Sequence, residues 1–436
     1  MARYFRLLAT ILTAACSLTL HAQANGSNSS YSRFGLGTLN DQSQGFNKGM
    51  AGVGIGLASG SRVNIANPAS YSSIDSLSFI FDVGMNASLG NMKSQGTSVN
   101  VNNCNIDYVC AGLQLTKGIG LSFGFVPYTS IGYSFSSSSN VATGMNSMQM
   151  ISKTDSYEGS GGLNQGYIGV GAMVYKGLSI GANISLIWGS YSHSVQETFS
   201  EDGVESSNYS GLKSIQNADI KTYKIDLGAQ YPVRLTDKDI LTIGATASIG
   251  HKVKGESTLE RYQTSADTLV ARNAFDLPYS YGLGLGWTHG NNLTVGADFK
   301  HEFWSKCHTP QYDKNSKTYA PALGSYCDRI KVCAGAQYII DPFDKHYLKR
   351  IQYRLGAHYS TPYLKINGKD GPREYGISAG LGLPITNNYN SRSMVNVSLQ
   401  WMRRAPQTTA MITENYFLMN IGLTFNEAWF MKFRIK

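Results

Sequence analysis

The sequence of 436 residues is poor in charge, proline and cysteine. Charged side chains make up 15% of it, against ~25% in typical soluble domains. Low charge combined with 11% aromatic residues argues against a disordered chain, and the slightly negative mean hydropathy argues against a bundle of transmembrane helices. The abundant residues are glycine, with 47 copies, and tyrosine, with 27. This balance favours a large all-β protein.

The sequence also lacks an apolar run long enough to cross a bilayer as a helix. The longest N-terminal run extends from Leu7 to Leu20, whereas a spanning helix needs ~20 residues. Two arginines precede it, and the small-residue sequence Ala22-Gln23-Ala24 follows it. This layout predicts a secretory signal peptide over residues 1–24, cleaved after Ala22 or Ala24. We therefore expect an exported protein.

The net charge of +9 is spread along the chain without a basic cluster, so no nucleic-acid partner is expected. Five cysteines follow the signal peptide, and none lies in a CxxC motif. Cys307 and Cys327 bracket a predicted loop, and the envelope permits disulfides, so these two are a candidate disulfide. The alternative, that all five thiols are unpaired, stays open.

No catalytic or metal-binding motif is found. The histidines are scattered without an HExxH pattern, and no nucleophile elbow is present. We expect neither an enzyme nor a cofactor.

Alternation of apolar with small or polar residues repeats along the chain and predicts strands. In one segment Leu178, Ile180, Ala182, Ile184 and Leu186 form the apolar face, with serine, glycine and asparagine between them. Fourteen such segments are predicted, at residues 77–89, 105–116, 118–136, 164–175, 177–199, 218–231, 239–255, 276–288, 291–304, 328–340, 350–363, 373–385, 393–404 and 415–425.

These strands predict a closed, antiparallel, 14-stranded transmembrane β-barrel over residues 77–425. Fourteen strands enclose an interior too wide for apolar side chains to fill, and the polar face is crowded with glycine and serine, so that face should line the lumen. The apolar face would then contact outer-membrane lipid. We therefore expect the protein in the outer membrane of a Gram-negative-type cell. Residues 426–436 are interpreted as a periplasmic tail, with a further strand as the alternative. The predicted lumen charges are Asp82, Asp226, Asp298, Lys300, Glu302 and Arg354.

Residues 25–76 do not alternate but contain Gly49-Met50-Ala51-Gly52-Val53-Gly54 and Asn67-Pro68-Ala69. These motifs resemble the N-terminal hatch of the FadL/TodX-type outer-membrane transporters, whose barrels have fourteen strands. The resemblance implies an N-terminal lumen plug, or hatch, over residues 25–76, with Arg33, Phe34, Asn67, Pro68 and Ala69 as hatch residues. The opening from Tyr31 to Gly37 looks like that of a divergent branch of this family.

The resemblance implies passive uptake of hydrophobic small molecules through a lateral opening. Some relatives of this barrel serve instead as non-catalytic subunits of envelope secretion or outer-membrane-protein assembly complexes, so envelope protein partners are the alternative.

Pro127 lies inside the third predicted strand. Proline has no N–H to donate to a strand ladder and is confined to edge strands, strand starts or bulges. A local break in the hydrogen-bonded pairing is therefore expected at Pro127. Either this is a bulge that only redirects the strand, or, as the resemblance implies, it is the lateral opening, with Tyr128 and Gly132 on the ligand path.

Overall fold

The computed structural model describes residues 27–76, 78–94, 96–142, 150–201, 204–205, 211–263, 265–385, 393–408 and 411–428. The predicted signal peptide and most of the predicted tail lie outside these residues.

The fold is a closed antiparallel barrel, and each of the fourteen predicted segments corresponds to one of its strands. The last strand pairs with the first from Ser78↔Ala428 to Lys93↔Thr413, which closes the wall. The strands are β1 Ser78–Ser94, β2 Thr97–Thr116, β3 Ile119–Ala142, β4 Met150–Tyr175, β5 Leu178–Glu201, β6 Lys213–Arg234, β7 Asp239–Ile249, β8 Ser280–His289, β9 Leu293–Glu302, β10 Arg329–Ile339, β11 Gln352–Ser360, β12 Arg373–Pro384, β13 Met394–Ala405 and β14 Thr413–Ala428.

The two faces of the wall are oriented as predicted. Ile184, Leu283 and Leu399 are about 60% exposed on the outside (59%, 61% and 61%), whereas Asn183 and Ser185 between the β5 apolar positions are buried. A lumen-facing polar set and a lipid-facing apolar set follow from the two-residue period of a strand. The prediction of a transmembrane β-barrel is confirmed.

Several strands are much longer than a membrane requires. β3, β4, β5 and β6 contain 24, 26, 24 and 22 residues, whereas a spanning strand needs ~9–11. The fourteen predicted segments leave residues 90–104, 138–163 and 200–217 between strands, but most of the described residues in these ranges are strand, so the predicted strand ends are wrong there. Beyond the bilayer neither face meets lipid, so the ladder continues without the apolar alternation that reveals it in the sequence.

Short elements complete the fold. None of the helices in the described ranges is long and apolar enough to cross a membrane. The helical turns are Ser30–Arg33, Gly45–Lys48, Pro68–Ser73, Trp304–Lys306 and Tyr347–Arg350, and the short strands are Thr38–Leu39, Val204–Glu205, His251–Val253, Gly255–Tyr262, Ala266–Arg272, Phe275–Leu277, Thr309–Asp313, Thr318–Ala322, Lys365–Ile366 and Lys369–Asp370.

The outer end of the barrel is filled by an aromatic cluster from two loops. The ring centroids of Trp304 and Tyr363 are 5.1 Å apart, and those of Trp304 and Tyr326 are 5.5 Å apart. Tyr363 also donates a hydrogen bond to the carbonyl of Gly37. This cluster therefore packs the loops against residues 27–76, which we call the N-terminal segment.

Candidate functional site: the lumen and the gap between β2 and β3

The N-terminal segment meets the inner wall at glycines. A Cβ atom placed on Gly356 would lie 2.4 Å from the carbonyl carbon of Met50, and one on Gly120 would lie 1.9 Å from the carbonyl oxygen of Tyr71. Such distances are too short for any side chain, so backbone touches backbone. Nine strands make this contact, through Gly120, Gly171, Gly181, Gly244, Gly286, Gly335, Gly356, Gly380 and Gly422, which we call the glycine belt.

Asn67 ties the N-terminal segment to two wall strands. Its side chain is fully buried and caps the turn Pro68–Ser73 by accepting from the N–H of Ala69 (3.1 Å). The same amide donates to the carbonyls of Ile55 (2.9 Å), Ala229 on β6 (3.1 Å) and Ala245 on β7 (3.4 Å). The adjacent Pro68 and Ala69 pack against Gly181 of the belt. The sequence Asn67-Pro68-Ala69 is therefore a point of attachment to the wall.

The predicted lumen charges all face inward, and they are paired with wall residues or bound to the N-terminal segment. Asp298 accepts from the N–H groups of Gly54 (2.6 Å) and Ile55 (2.9 Å). Lys300 pairs with Glu302 at 2.8 Å. Among the others, Asp226 pairs with Lys224 at 2.7 Å, Asp82 accepts from Tyr108 at 3.0 Å, and Arg354 donates to Asn396 at 2.7 Å.

Further ion pairs hold the N-terminal segment directly. Lys48 is buried and pairs with Asp107 of β2 at 2.8 Å. Asp41 lies 3.5 Å from Lys331 of β10. Burial alone would raise the pKa of Asp41, but the charges of Lys331 and Lys48 outweigh it and hold that pKa well below its ordinary value. The Asp41 carboxyl therefore stays charged at neutral pH.

The fully buried Glu414 anchors the start of the N-terminal segment. It accepts from the hydroxyls of Ser29 (2.8 Å) and Ser30 (3.0 Å), and Arg404 pairs with it at 3.2 Å. Sequence reasoning missed this carboxylate because it lies just before the predicted segment 415–425, at a position read as loop.

A cavity of about 840 Å³ lies between the N-terminal segment and the wall. Its lining includes acidic and basic side chains from most of the circumference, among them Lys224, Glu302, Arg329, Glu374 and Arg404. It also reaches Ile106 of β2 and Phe125 of β3, whose side chains are 54% and 36% exposed. The cavity therefore combines a charged interior with apolar residues at the boundary between these two strands.

The ladder between β2 and β3 is short. It runs from Thr116↔Ile119 to Val109↔Phe125, which is two residues before Pro127. The ladder between β3 and β4 continues to Ala142↔Met150, with Tyr128 as an extra residue between the pairs Pro127↔Asn164 and Thr129↔Leu163. Pro127 thus coincides with a bulge on the β4 side and with the end of pairing on the β2 side.

From Tyr128 to Tyr133, just beyond Pro127, β3 is buried on both faces. Ile131 is fully buried, and Tyr128 and Tyr133 are 9% and 4% exposed. Instead of β2, the N-terminal segment pairs with this part of β3, through Thr38↔Ser130 and Leu39↔Thr129. A gap therefore separates the outer part of β2 from β3, which we call the β2–β3 gap.

The other predicted site residues lie near this part of β3. Tyr128 packs in the aromatic cluster, and the N–H of Gly132 donates to the Ser32 hydroxyl at 3.2 Å. The guanidinium carbon of Arg33 lies 3.8 Å above the ring of Tyr157, and Phe34 packs against the same cluster. Arg33 and Phe34 therefore lie at the outer end of the lumen, far along the segment from Asn67.

The predicted disulfide is not formed, because Cys307 and Cys327 are free thiols in the structure. The Cys327 thiol donates to the carbonyl of Pro362 at 3.3 Å, and Cys307 is buried in the aromatic cluster. Burial, followed by the charges of Asp276 and Asp328, raises the pKa of Cys307 to about 12. Both thiols have packing partners of their own, and the Cys307 thiol remains protonated.

Comparisons with known proteins agree with this architecture. Structures with a similar fold include the Ralstonia pickettii toluene transporter TbuX (16% identity, TM-score 0.58, covering 89% of this chain and 98% of that chain). A Pseudomonas aeruginosa FadL homologue (13%, 0.59, 90% and 99%) and the P. putida toluene transporter TodX (16%, 0.55, 87% and 97%) are also similar. At these identities the likeness concerns the fold.

No curated protein matches the sequence. A family model named BamG matches residues 1–436. Because this model matches the whole length of the chain, the chain, a FadL-like barrel, belongs to the BamG family.

Proposed function

We propose that this protein is a non-catalytic barrel subunit of an envelope complex for outer-membrane-protein assembly or secretion, with its N-terminal segment as a fixed plug. The observation that carries the proposal is the glycine belt, in which the plug backbone touches nine of the fourteen strands. Close contact of backbone with backbone leaves the plug little room to shift at these points. A plug held in this way suits a rigid scaffold better than a gated channel.

The chemistry of the cavity supports the same function. A route for hydrophobic compounds calls for an apolar lining, because each buried charge must be paired or solvated. Here Glu302 and Glu374 are each held by arginine or lysine inside the cavity wall. The family name BamG also favours an assembly-machinery subunit over a transporter.

The direct test is gentle detergent extraction from the native membrane, followed by mass spectrometry of the intact assembly. A stoichiometric complex with other envelope proteins is expected, and a lone barrel at native expression levels would refute the proposal.

A covalent lock of the plug provides a second test. The hydroxyls of Ser72 in the plug and Ser179 in β5 lie 2.8 Å apart, so Ser72→Cys with Ser179→Cys should form a disulfide with little strain. A fixed plug predicts that the oxidised double variant keeps its partners and its support of growth. Each single variant serves as the control, and loss of function only on oxidation would show that the plug must move.

The second candidate function is uptake of hydrophobic small molecules through a lateral opening, and the β2–β3 gap beside Pro127 favours it. Under this hypothesis Pro127→Val supplies the missing N–H, extends the ladder and slows uptake of a fluorescent hydrophobic probe by whole cells. Pro310→Val, in a loop strand, is the matched control. Unchanged uptake at normal surface levels would remove this candidate.

A further inference from the structure

The edge of β2 at its outer end is open towards β3. The β2–β3 ladder begins only at Val109, and the partner part of β3 turns into the lumen, where Thr38 and Leu39 of the N-terminal segment pair with it. On its other side β2 remains paired with β1 as far as Ser94↔Thr97. The stretch Thr97–Asn102 is therefore paired in the described residues with one neighbouring strand, β1, and Asn28 of the N-terminal segment contacts it at Asn102.

Two contacts show which backbone groups point into the gap. The carbonyl of Asn102 accepts from the Asn28 side chain at 2.8 Å, and the N–H of Cys104 donates to the side chain of Asn103 at 2.8 Å. Alternate residues of a strand direct both backbone groups to the same edge. Ser98 and Asn100 therefore present their N–H and C=O groups to the gap, whereas the carbonyl of Asn102 is already bonded to Asn28.

Between Thr97 and Val101 the described part of this edge lacks the features that normally prevent pairing. Natural sheet edges are protected by lysine, proline, bulges or a covering element. The sequence Thr97-Ser98-Val99-Asn100-Val101-Asn102 contains no charge and no proline, its described residues form a regular ladder with β1, and Val99 is 54% exposed. An exposed, uncharged edge of about 20 Å, at ~3.3 Å per residue, is a template for another strand.

We propose that Thr97–Asn102 is a strand-addition site for an uncharged, antiparallel β-strand of a different envelope protein. This inference rests on the proposed function as a complex subunit. The chain already uses the same mode of contact on β3, where Thr38 and Leu39 add a short strand. An uncharged edge offers a charged partner strand no side chain of opposite charge for cross-strand pairing, so it matches a partner strand without charge.

A second copy of this chain fits the edge less well. Two copies in one membrane have the same orientation, so their β2 strands would run parallel to each other. Parallel pairing is less stable per residue than antiparallel pairing. A strand from another protein can enter in the antiparallel direction, as β1 does on the opposite edge.

The test places a photoreactive amino acid at Val99 in the full chain in living cells. The expected result is a single protein adduct whose peptide maps to an uncharged extended segment of one partner. An adduct with lipid alone, or with a second copy of this chain, would overturn the proposal.

A proline variant tests the backbone contact itself. Asn100→Pro removes an N–H that points into the gap and leaves the β1 ladder intact, whereas Asn100→Thr keeps the N–H. Both variants lose the side-chain hydrogen bond from Asn91. The adduct at Val99 should fall roughly tenfold with proline and be unchanged with threonine, as expected when edge hydrogen bonds are lost. Equal adduct in both would overturn the proposal.

The outcomes separate the two proposals. If the protein co-purifies with partners but Val99 gives no protein adduct, strand addition is wrong and the subunit function stands. If no partner co-purifies with the wild-type chain, the subunit function itself fails. The heat-modifiable migration of folded barrels in gels verifies that the Asn100→Pro variant is folded. If this variant does not fold, the Val99 crosslink in the otherwise wild-type chain alone decides whether a partner strand binds at Thr97–Asn102.

Discussion

Asn67 offers a sharp test of how the N-terminal segment is held. Asn67→Ala removes the cap of the turn Pro68–Ser73, which costs about 1 kcal/mol. It also takes a donor from the carbonyls of Ala229 and Ala245, which adds about 1–3 kcal/mol. The carbonyl of Ile55 keeps a second donor, the side chain of Gln230 at 2.9 Å, so the loss of its bond to Asn67 adds little to the cost of the substitution. The total of about 2–4 kcal/mol corresponds to a roughly 30- to 900-fold larger population with the segment detached.

The assay is limited proteolysis of the N-terminal segment in the folded, detergent-solubilised barrel. Cleavage of a rarely opened segment follows the open population, so the rate should rise by the same factor. Asn67→Asp separates the two contributions, because aspartate caps a helical turn as well as asparagine but would direct a carboxylate at three carbonyls. It should be cleaved faster than Asn67→Ala. Protection equal to that of the wild type would show that only the cap matters and would refute the attachment to the wall.

Two more predictions follow from the structure. Ile184→Arg places a charge against lipid and should lower the free energy of unfolding of the barrel by about 2–4 kcal/mol. Thr246 lines the cavity, so Thr246→Arg should lower that free energy much less. Urea unfolding in lipid vesicles measures both variants, and equal losses would contradict the orientation of the wall. Because the pKa of Asp41 is lowered, its contribution is present above the ordinary value of ~3.9 and is lost as the pH falls further. The difference in protease protection between the wild type and Asp41→Asn should thus be constant from about pH 7 to about pH 5 and shrink below about pH 4, while a difference that shrinks already near pH 6 would contradict the pairing with Lys331.

The sequence was sufficient to predict the wall of the barrel. Lipid imposes a strict two-residue period on every strand that crosses it, so the apolar faces of segments such as Leu178–Leu186 are visible without a structure. The same period placed Asp298 and Arg354 in the lumen. The crowding of glycine on the lumen face was also visible, although its cause was not.

Features that depend on contacts distant in sequence could not be predicted. The glycine belt requires knowing which backbone fills the lumen, and Met50 gives no sign that it will meet Gly356. Glu414 belongs to a buried network only because Ser29, 385 residues earlier, lies beside it. The spacing of Cys307 and Cys327 indicated a loop, but it gave no sign that Cys307 packs in the aromatic cluster while the Cys327 thiol donates to the carbonyl of Pro362.

The glycine belt has a consequence for the order of folding. Contacts with Glu414 hold the beginning of the N-terminal segment near the outer end of β14, and the turn Pro68–Ser73 packs on β4 and β5 beside their short connection. A segment that runs along the lumen in this way, with backbone against backbone on nine strands, has no room to be threaded through a finished barrel. The segment must therefore be in place before the first and last strands pair along Ser78–Lys93 and Thr413–Ala428. The wall therefore folds around the N-terminal segment, and pairing of the first and last strands is the step that encloses this segment in the barrel.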